Sequence, residues 1–290
     1  MMAVRLDPPR RAPYARRGHR RRPVSARRAW LTWPRLPAAA EAATIGGSYA
    51  AYSLVRLAVR ADRHAAFAHA AQLRVAEQRM RLNVEPYLNH LAATHPVLAE
   101  TSGYYYGLAH FIVTPLLLAW LYLRRSAAFP RLRSALFPAT AAANVVFWAW
   151  PVAPPRFSVP GMTDLLVARD IPGTAHPHGA TSLVNLYAAM PSLHVAWAAW
   201  CALAIVSTSR SRWRHLAWLY PSATTLAVLA TANHFLLDAV GGLASLATGR
   251  RLRRGWAAPG RVTRHASHQP RQPEPAPATA TRDGGITAGG

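Results

Sequence analysis

The chain has 290 residues, of which 51% are hydrophobic and only 16% charged, and this composition excludes a water-soluble enzyme of ordinary make-up. Its formal net charge of +23 is carried by arginine alone, for the sequence contains no lysine. Nucleic acid is the obvious partner for such a charge, but the arginines avoid the long apolar runs and crowd beside them, 11 in residues 1–36 and 8 from Arg250 onward. Charge that flanks a membrane is distributed this way, so nucleic acid is not expected as a partner.

Residues 1–36 are rich in arginine and proline and have no periodic apolar face, which predicts a disordered cytoplasmic arm. Its paired arginines are not followed closely by an apolar core, which argues against an export signal. An apolar stretch at 38–59 contains Gly46-Gly47 but also Glu41 and Arg56, making it the weakest candidate span. In residues 62–85, Phe67, Ala70, Leu73, Met80 and Val84 recur at helical spacing while Arg63, Arg74, Arg79 and Arg81 take other faces. This pattern predicts an amphipathic helix lying along the bilayer surface or packing over the mouth of a bundle. Ordinary ion pairs with those arginines account for Glu77 and Glu85.

Better spans follow at 103–123, 134–150 and 192–208, and 216–249 is long enough for two of about 17 residues broken near Asn233-His234. Gly241 and Gly242 allow the last helix to approach its neighbours closely. Cys201 lies within an apolar run and, as the only cysteine, forms no disulfide framework; it reads as a small packing residue. The predicted fold is an all-α, polytopic membrane bundle of about six transmembrane helices plus an interfacial amphipathic helix. It would occupy residues 37–250 as one catalytic membrane domain, with a disordered cytoplasmic tail over 251–290.

With a cytoplasmic N-terminal arm and six spans, the arginine-dense loops at 124–133, 210–214 and 250–254 all fall on the cytoplasmic side, as the positive-inside rule requires. The arginine-rich ends then meet anionic phospholipid of that leaflet. The long loop at 152–189 faces outward, and Arg156, His194 and His234 converge at the outer surface of the cell membrane.

His234 and Asp238 are four residues apart, which on a helix puts them on one face. A carboxylate that accepts from one ring nitrogen leaves the other free to attack an electrophile; a buried His–Asp pair serving packing is the competing reading. Pro191 suits the first turn of a helix, with the Ser192, Leu193 and His194 N–H groups and the Ser192 hydroxyl forming an anion site. His194 at that rim is placed to protonate a leaving oxygen. Arg156, after Pro154-Pro155 in an extended loop, supplies a forked cation suited to phosphate. Together these residues describe phosphoryl transfer through a phosphohistidine, which needs no metal or other cofactor.

Pro191-Ser192-x-His194 and His234-x-x-x-Asp238 resemble the second and third motifs of the type-2 phosphatidic acid phosphatase superfamily. More narrowly, Asn185-x-Tyr187-Ala188-Ala189-Met190-Pro191-Ser192-Leu193-His194 and Thr231-Ala232-Asn233-His234 are similar to the branch containing fungal inositol phosphorylceramide synthase and actinobacterial relatives. Pro151-x-Ala153-Pro154-Pro155-Arg156, Tyr52-Ser53-Leu54-Val55-Arg56 and the region from Tyr106 to His110 fit the same branch. The resemblance runs from about residue 41 to 245. It implies His234 as nucleophile, Asp238 as its orienter, His194 as acid, and Ser192 with Arg156 as phosphate ligands. The broader superfamily carries a lysine where this chain has Ala149 and an arginine where it has Val228, so two phosphate clamps are missing; the inositol-transferase branch tolerates both absences.

His110, in mid-span, and Asn233 are candidates to line a substrate cavity, although an interior hydrogen-bonded histidine explains His110 equally well. His176 and His178 have no partner at metal-ligand spacing. Asp164 and Asp170 read as solvated loop carboxylates, with shaping of the outer loop or contact with a substrate hydroxyl as the alternative. The expected activity is transfer of a phospho-headgroup, inositol phosphate by the branch resemblance, from a lipid donor to a lipid alcohol. The alternative is a lipid phosphate phosphatase, acting on phosphatidic acid or a polyprenyl phosphate, with water as acceptor. A non-catalytic scaffold is disfavoured by the intact histidines and aspartate.

Overall fold

Local signals mark several helix boundaries. The computed structural model describes residues 36–58, 62–124, 127–171 and 186–256. Among them lie ten α-helices: α1 (Ala38–Ala58), α2 (Arg63–Met80), α3 (Glu85–Thr94), α4 (Pro96–Arg124), α5 (Phe129–Ala149), the short α6 (Pro155–Ser158) and α7 (Leu165–Ala168), α8 (Leu193–Thr208), α9 (Leu219–Ala230) and α10 (Leu236–Trp256). A 3-10 segment, Arg212–Trp218, leads into α9. Asp62 caps α2 by accepting from the His64 and Ala65 N–H groups, and Arg81 ends it in the left-handed conformation, as caps of both kinds do. Proline opens the first turn of α3 and of α5.

The all-α expectation holds for the described residues, where extended pairing is limited to one parallel bridge between Val152 and Ala188. Several boundaries differ from the sequence reading. The stretch at 62–85 is not one amphipathic element: α2 stops at Met80, and a separate α3 follows, which buries Glu85, Asn89 and Ala92. The buried face of α2 is Ala66, Ala70, Leu73 and Glu77, whereas Met80 and Val84 are exposed. The region 216–249 divides unequally into a 12-residue α9 and a 21-residue α10, and α9 alone is only about 18 Å long. The last helix runs on through the arginine cluster to Trp256. Residues 1–35 of the expected arm, most of the tail, His176, His178 and Asn185 lie outside the described residues.

Among the described residues, α4 is long and apolar enough to cross a membrane by itself. The outer faces of neighbouring helices are also apolar: Leu116 and Leu123 of α4, Trp148 of α5, Leu226 of α9 and Val240 of α10 are all exposed. An exposed apolar surface of this extent marks an interaction with lipid or protein.

At the centre, α10 packs chiefly against α5 and α8. The middle of α8 is buried almost all round, with Ala198, Ala199, Trp200, Cys201 and Ala202 each about 1% exposed or less. Two glycines on one face of α10 make this packing possible. A Cβ at Gly242 would fall 2.3 Å from the Ser192 carbonyl oxygen, and one at Gly249 would fall 2.6 Å from the Ala139 nitrogen. At Gly241 the nearest atoms are side chains, at 3.2 Å. Gly242→Ala and Gly249→Ala should each cost about 1–3 kcal/mol through overpacking against rigid backbone, and Gly241→Ala clearly less; thermal unfolding of the three purified variants measures the difference.

The charge that made α1 a weak candidate is compensated. Glu41, 3% exposed, pairs with Arg133 of α5, 2% exposed, and its other oxygen accepts the Leu36 N–H. Removing one partner of a buried pair leaves an uncompensated charge, at a cost of about 3–5 kcal/mol. Glu41→Ala should therefore lower the melting temperature far more than the double variant Glu41→Leu/Arg133→Met, which leaves no orphan charge.

Candidate active site

Three separate segments of chain are brought together by backbone hydrogen bonds. The segment after α5 pairs with the segment before α8, the Val152 N–H donating to the Tyr187 carbonyl and the Ala189 N–H to that of Val152. The Ala153 N–H reaches the Ala66 carbonyl of α2, the Arg156 N–H that of Ala232, and the Ser192 N–H that of Asp238. Arg156, Ser192 and the 231–238 turn are thus tied directly to one another.

The turn itself is tightly specified. Thr231 ends α9, and the buried Ala232 adopts φ +53°, a left-handed conformation costing an alanine about 1–2 kcal/mol. The Asn233 side chain donates to the Thr231 carbonyl and hydroxyl, and Asn89 of α3 donates to the Ala230 and Thr163 carbonyls. Asn233 therefore works inside the turn and does not line the cleft described below.

His234 precedes α10 instead of lying on it, so its contact with Asp238 crosses the helix start. Its Nδ1 lies 3.4 Å from Asp238 Oδ2, and the same oxygen accepts the Phe235 N–H at 2.8 Å. Both residues are buried, His234 at 5% exposure and Asp238 at 0%. The His234–Asp238 contact is long and poorly aligned for a hydrogen bond, and Nδ1 has no well-formed partner among the described residues. Catalytic contacts commonly tighten only when substrate binds.

His194, in the first turn of α8, lies between two groups. Its ring is 5.8 Å from that of His234 and 4.4 Å from that of His110 of α4, and it stacks on Tyr106 at 4.4 Å. Ser192 is the N-cap of α8, with its hydroxyl accepting from the Val195 N–H. Pro191 therefore precedes the cap instead of opening the first turn, and the Ser192 N–H is already occupied. Arg156 lies in the short α6, not in an extended loop. Its Nε is 3.3 Å from Asp164 Oδ2, and its guanidinium lies over the Phe157 ring at 4.5 Å. Asp164 caps α7 as well, so it is more than a solvated loop carboxylate.

On the far side of His194, His110 borders a cleft of about 520 Å³ between α1, α4, α5 and α8, lined by Tyr49, Phe111, Pro115, Leu118, Phe137 and Trp197 among others. Thr140 and Asn144 add polar groups.

Glu77 and Glu85 are the residues whose surroundings the sequence reading missed. Neither pairs with an arginine among the described residues; they are 1% and 2% exposed. Glu77 Oε1 accepts the Leu237 N–H and Glu85 Oε1 the Leu236 N–H, each at 2.7 Å. The signal for Glu77 was its register, four residues beyond Leu73 on the buried face of α2.

A sequence-family profile described as the PAP2 superfamily matches residues 71–250, which contain Arg156, Ser192, His194, His234 and Asp238. The chain belongs to the PAP2 superfamily, whose members are phosphatases and phosphotransferases acting largely on lipids. No match was found among curated proteins or among solved structures.

Proposed function

We propose that the protein is an integral membrane phosphotransferase that moves a phospho-headgroup between lipids through a phosphohistidine at His234. The observation that carries this reading is the arrangement of two imidazoles 5.8 Å apart, one of them beside a fully buried carboxylate. With Nδ1 of His234 facing Asp238, Nε2 is the nucleophile. Nε2 attacks phosphorus in line, the phosphorus–oxygen bond to the first lipid breaks, and His194 gives its proton to the departing oxygen. Asp238 balances the positive charge on the phosphorylated ring. The acceptor hydroxyl then attacks phosphorus, His194 takes its proton, and the P–N bond breaks to restore neutral His234. Arg156 lies one backbone hydrogen bond from the turn bearing His234 and is the cation for the phosphoryl oxygens, exchanging Asp164 for substrate.

The cleft beside His110 supports a lipid chain held against the acid, and the burial of His234 and Asp238 supports transfer in a site with little water. The same reading places α1, α4, α5, α8, α9 with its 3-10 lead-in, and α10 as six membrane-crossing segments of the plasma membrane. The termini are cytoplasmic and in contact with anionic lipid, α2 and α3 lie at the outer interface, and the site opens on that side. Inositol phosphate is the proposed headgroup.

Purified protein supplied with phosphatidylinositol and a lipid alcohol tests the proposal, with phosphatidic acid as the second donor. Acceptor-dependent headgroup transfer is expected. Release of inorganic phosphate from phosphatidic acid without any transfer would replace it with the phosphatase reading.

A further inference from the structure

The start of α10 is held in an unusual way. A helix leaves its first N–H groups without partners inside the helix, and here three in succession are each taken by a different carboxyl: Phe235 by Asp238, Leu236 by Glu85 and Leu237 by Glu77. Only the first of these is local. Glu85 and Glu77 reach α10 from α3 and α2, which lie 151 and 160 residues away in the chain. Both distant carboxyls thus act on backbone. The residues they hold lie between His234 and Asp238. Those two side chains, 3.4 Å apart, therefore flank the turn that Glu77 and Glu85 hold.

We infer that Glu77 and Glu85 are positioning residues for phosphoryl transfer: by anchoring the Leu237 and Leu236 N–H groups they hold the His234 nucleophile in register with Asp238. This inference rests on the reading of His234 and Asp238 as reacting groups.

Charge supports the same assignment. Burial, opposed by the Leu237 N–H and reinforced by Glu85 and Asp238, pushes the Glu77 carboxyl up to about 8, and burial raises Glu85 as well. Both carboxyls are thus shifted toward their protonated forms. Beyond the pair itself, the charged group acting on both carboxyls is Asp238 at the start of α10, which lies 3.4 Å from His234. A carboxyl whose folded value is raised binds more protons folded than unfolded. Its contribution to stability is greatest below the ordinary value of 4.5 and is lost progressively as pH rises through about 8.

The test compares Glu77→Gln and Glu85→Gln, which keep an acceptor oxygen, with Glu77→Asp and Glu85→Asp, which withdraw it by one methylene. Rates are expressed per site, counted by burst formation of the phosphoenzyme, so that misfolded protein does not enter. Inorganic vanadate, a mimic of five-coordinate phosphorus, reports the site without any lipid. The Gln variants should keep turnover within about 3-fold of the parent. The Asp variants should lose about 10²-fold in kcat, as a displacement near 1 Å does, with KM little changed and vanadate protection against unfolding weakened in step. The melting temperature of the parent should fall between pH 5 and 9, and Glu77→Gln should flatten that fall. Asp variants with parental turnover per site would overturn the inference, as would Gln variants as impaired as the Asp ones. A parent that binds vanadate but forms no phosphoenzyme would instead overturn the phosphohistidine reading, and the inference with it.

Discussion

His234→Ala is expected to lower turnover by at least about 10⁴-fold while the protein still folds and still binds its lipid donor. The imidazole is the only group in the site with both a nucleophilic nitrogen and a carboxylate fixed behind it, 3.4 Å away. Deleting it removes bond formation to phosphorus, whereas the apolar cleft beside His110 is left intact. The phosphoenzyme formed from a radiolabelled donor should disappear completely. Asp238→Asn should retain the Phe235 cap through its amide oxygen but lose the charge that steadies the phosphorylated ring, with a loss of about 10²–10⁴-fold. Residual phosphoenzyme in His234→Ala, assayed after acid quench, would mean that another residue is the nucleophile.

The residues of this site were legible in the sequence because they coincide with helix boundaries, which leave strong local signals. Pro191-Ser192 marks the start of α8, and Asn233-His234 interrupts an apolar stretch too long for one span. Their geometry was less legible. Spacing of four suggested a helical face for His234 and Asp238, but helix α10 begins after His234, and Asp238 turns back to cap it. Ser192 was read as an open hydroxyl and N–H, yet the tertiary fold engages its N–H with the Asp238 carbonyl and its hydroxyl with α8.

Buried charge was hardest to read, because a charged residue in an amphipathic pattern is ordinarily solvated. Glu41, Arg133, Glu77 and Glu85 all find partners distant in the chain, and no local rule supplies those. The number of spans depends on the same distinction. Among the described residues only α4 is long and apolar enough on its own, whereas α9 is a 12-residue helix whose place in a bilayer would depend on its neighbours.

His194→Gln should show a loss that depends on the leaving group, and this dependence separates acid catalysis from simple packing. For a lipid alkoxide, whose oxygen must be protonated as it departs, the loss should be about 10²–10⁴-fold. For p-nitrophenyl phosphate, whose leaving group departs readily as an anion, formation of the phosphoenzyme should fall by less than about 10-fold. The His194 ring stacks on Tyr106 and meets His110 edge-on, so a glutamine also disturbs packing, but that disturbance would slow both substrates equally. His110→Gln supplies the comparison, since it perturbs the same cluster without removing the imidazole next to His234. Equal losses with both substrates in His194→Gln would assign His194 to the architecture of the site and leave the leaving oxygen to be protonated by solvent or by the acceptor itself.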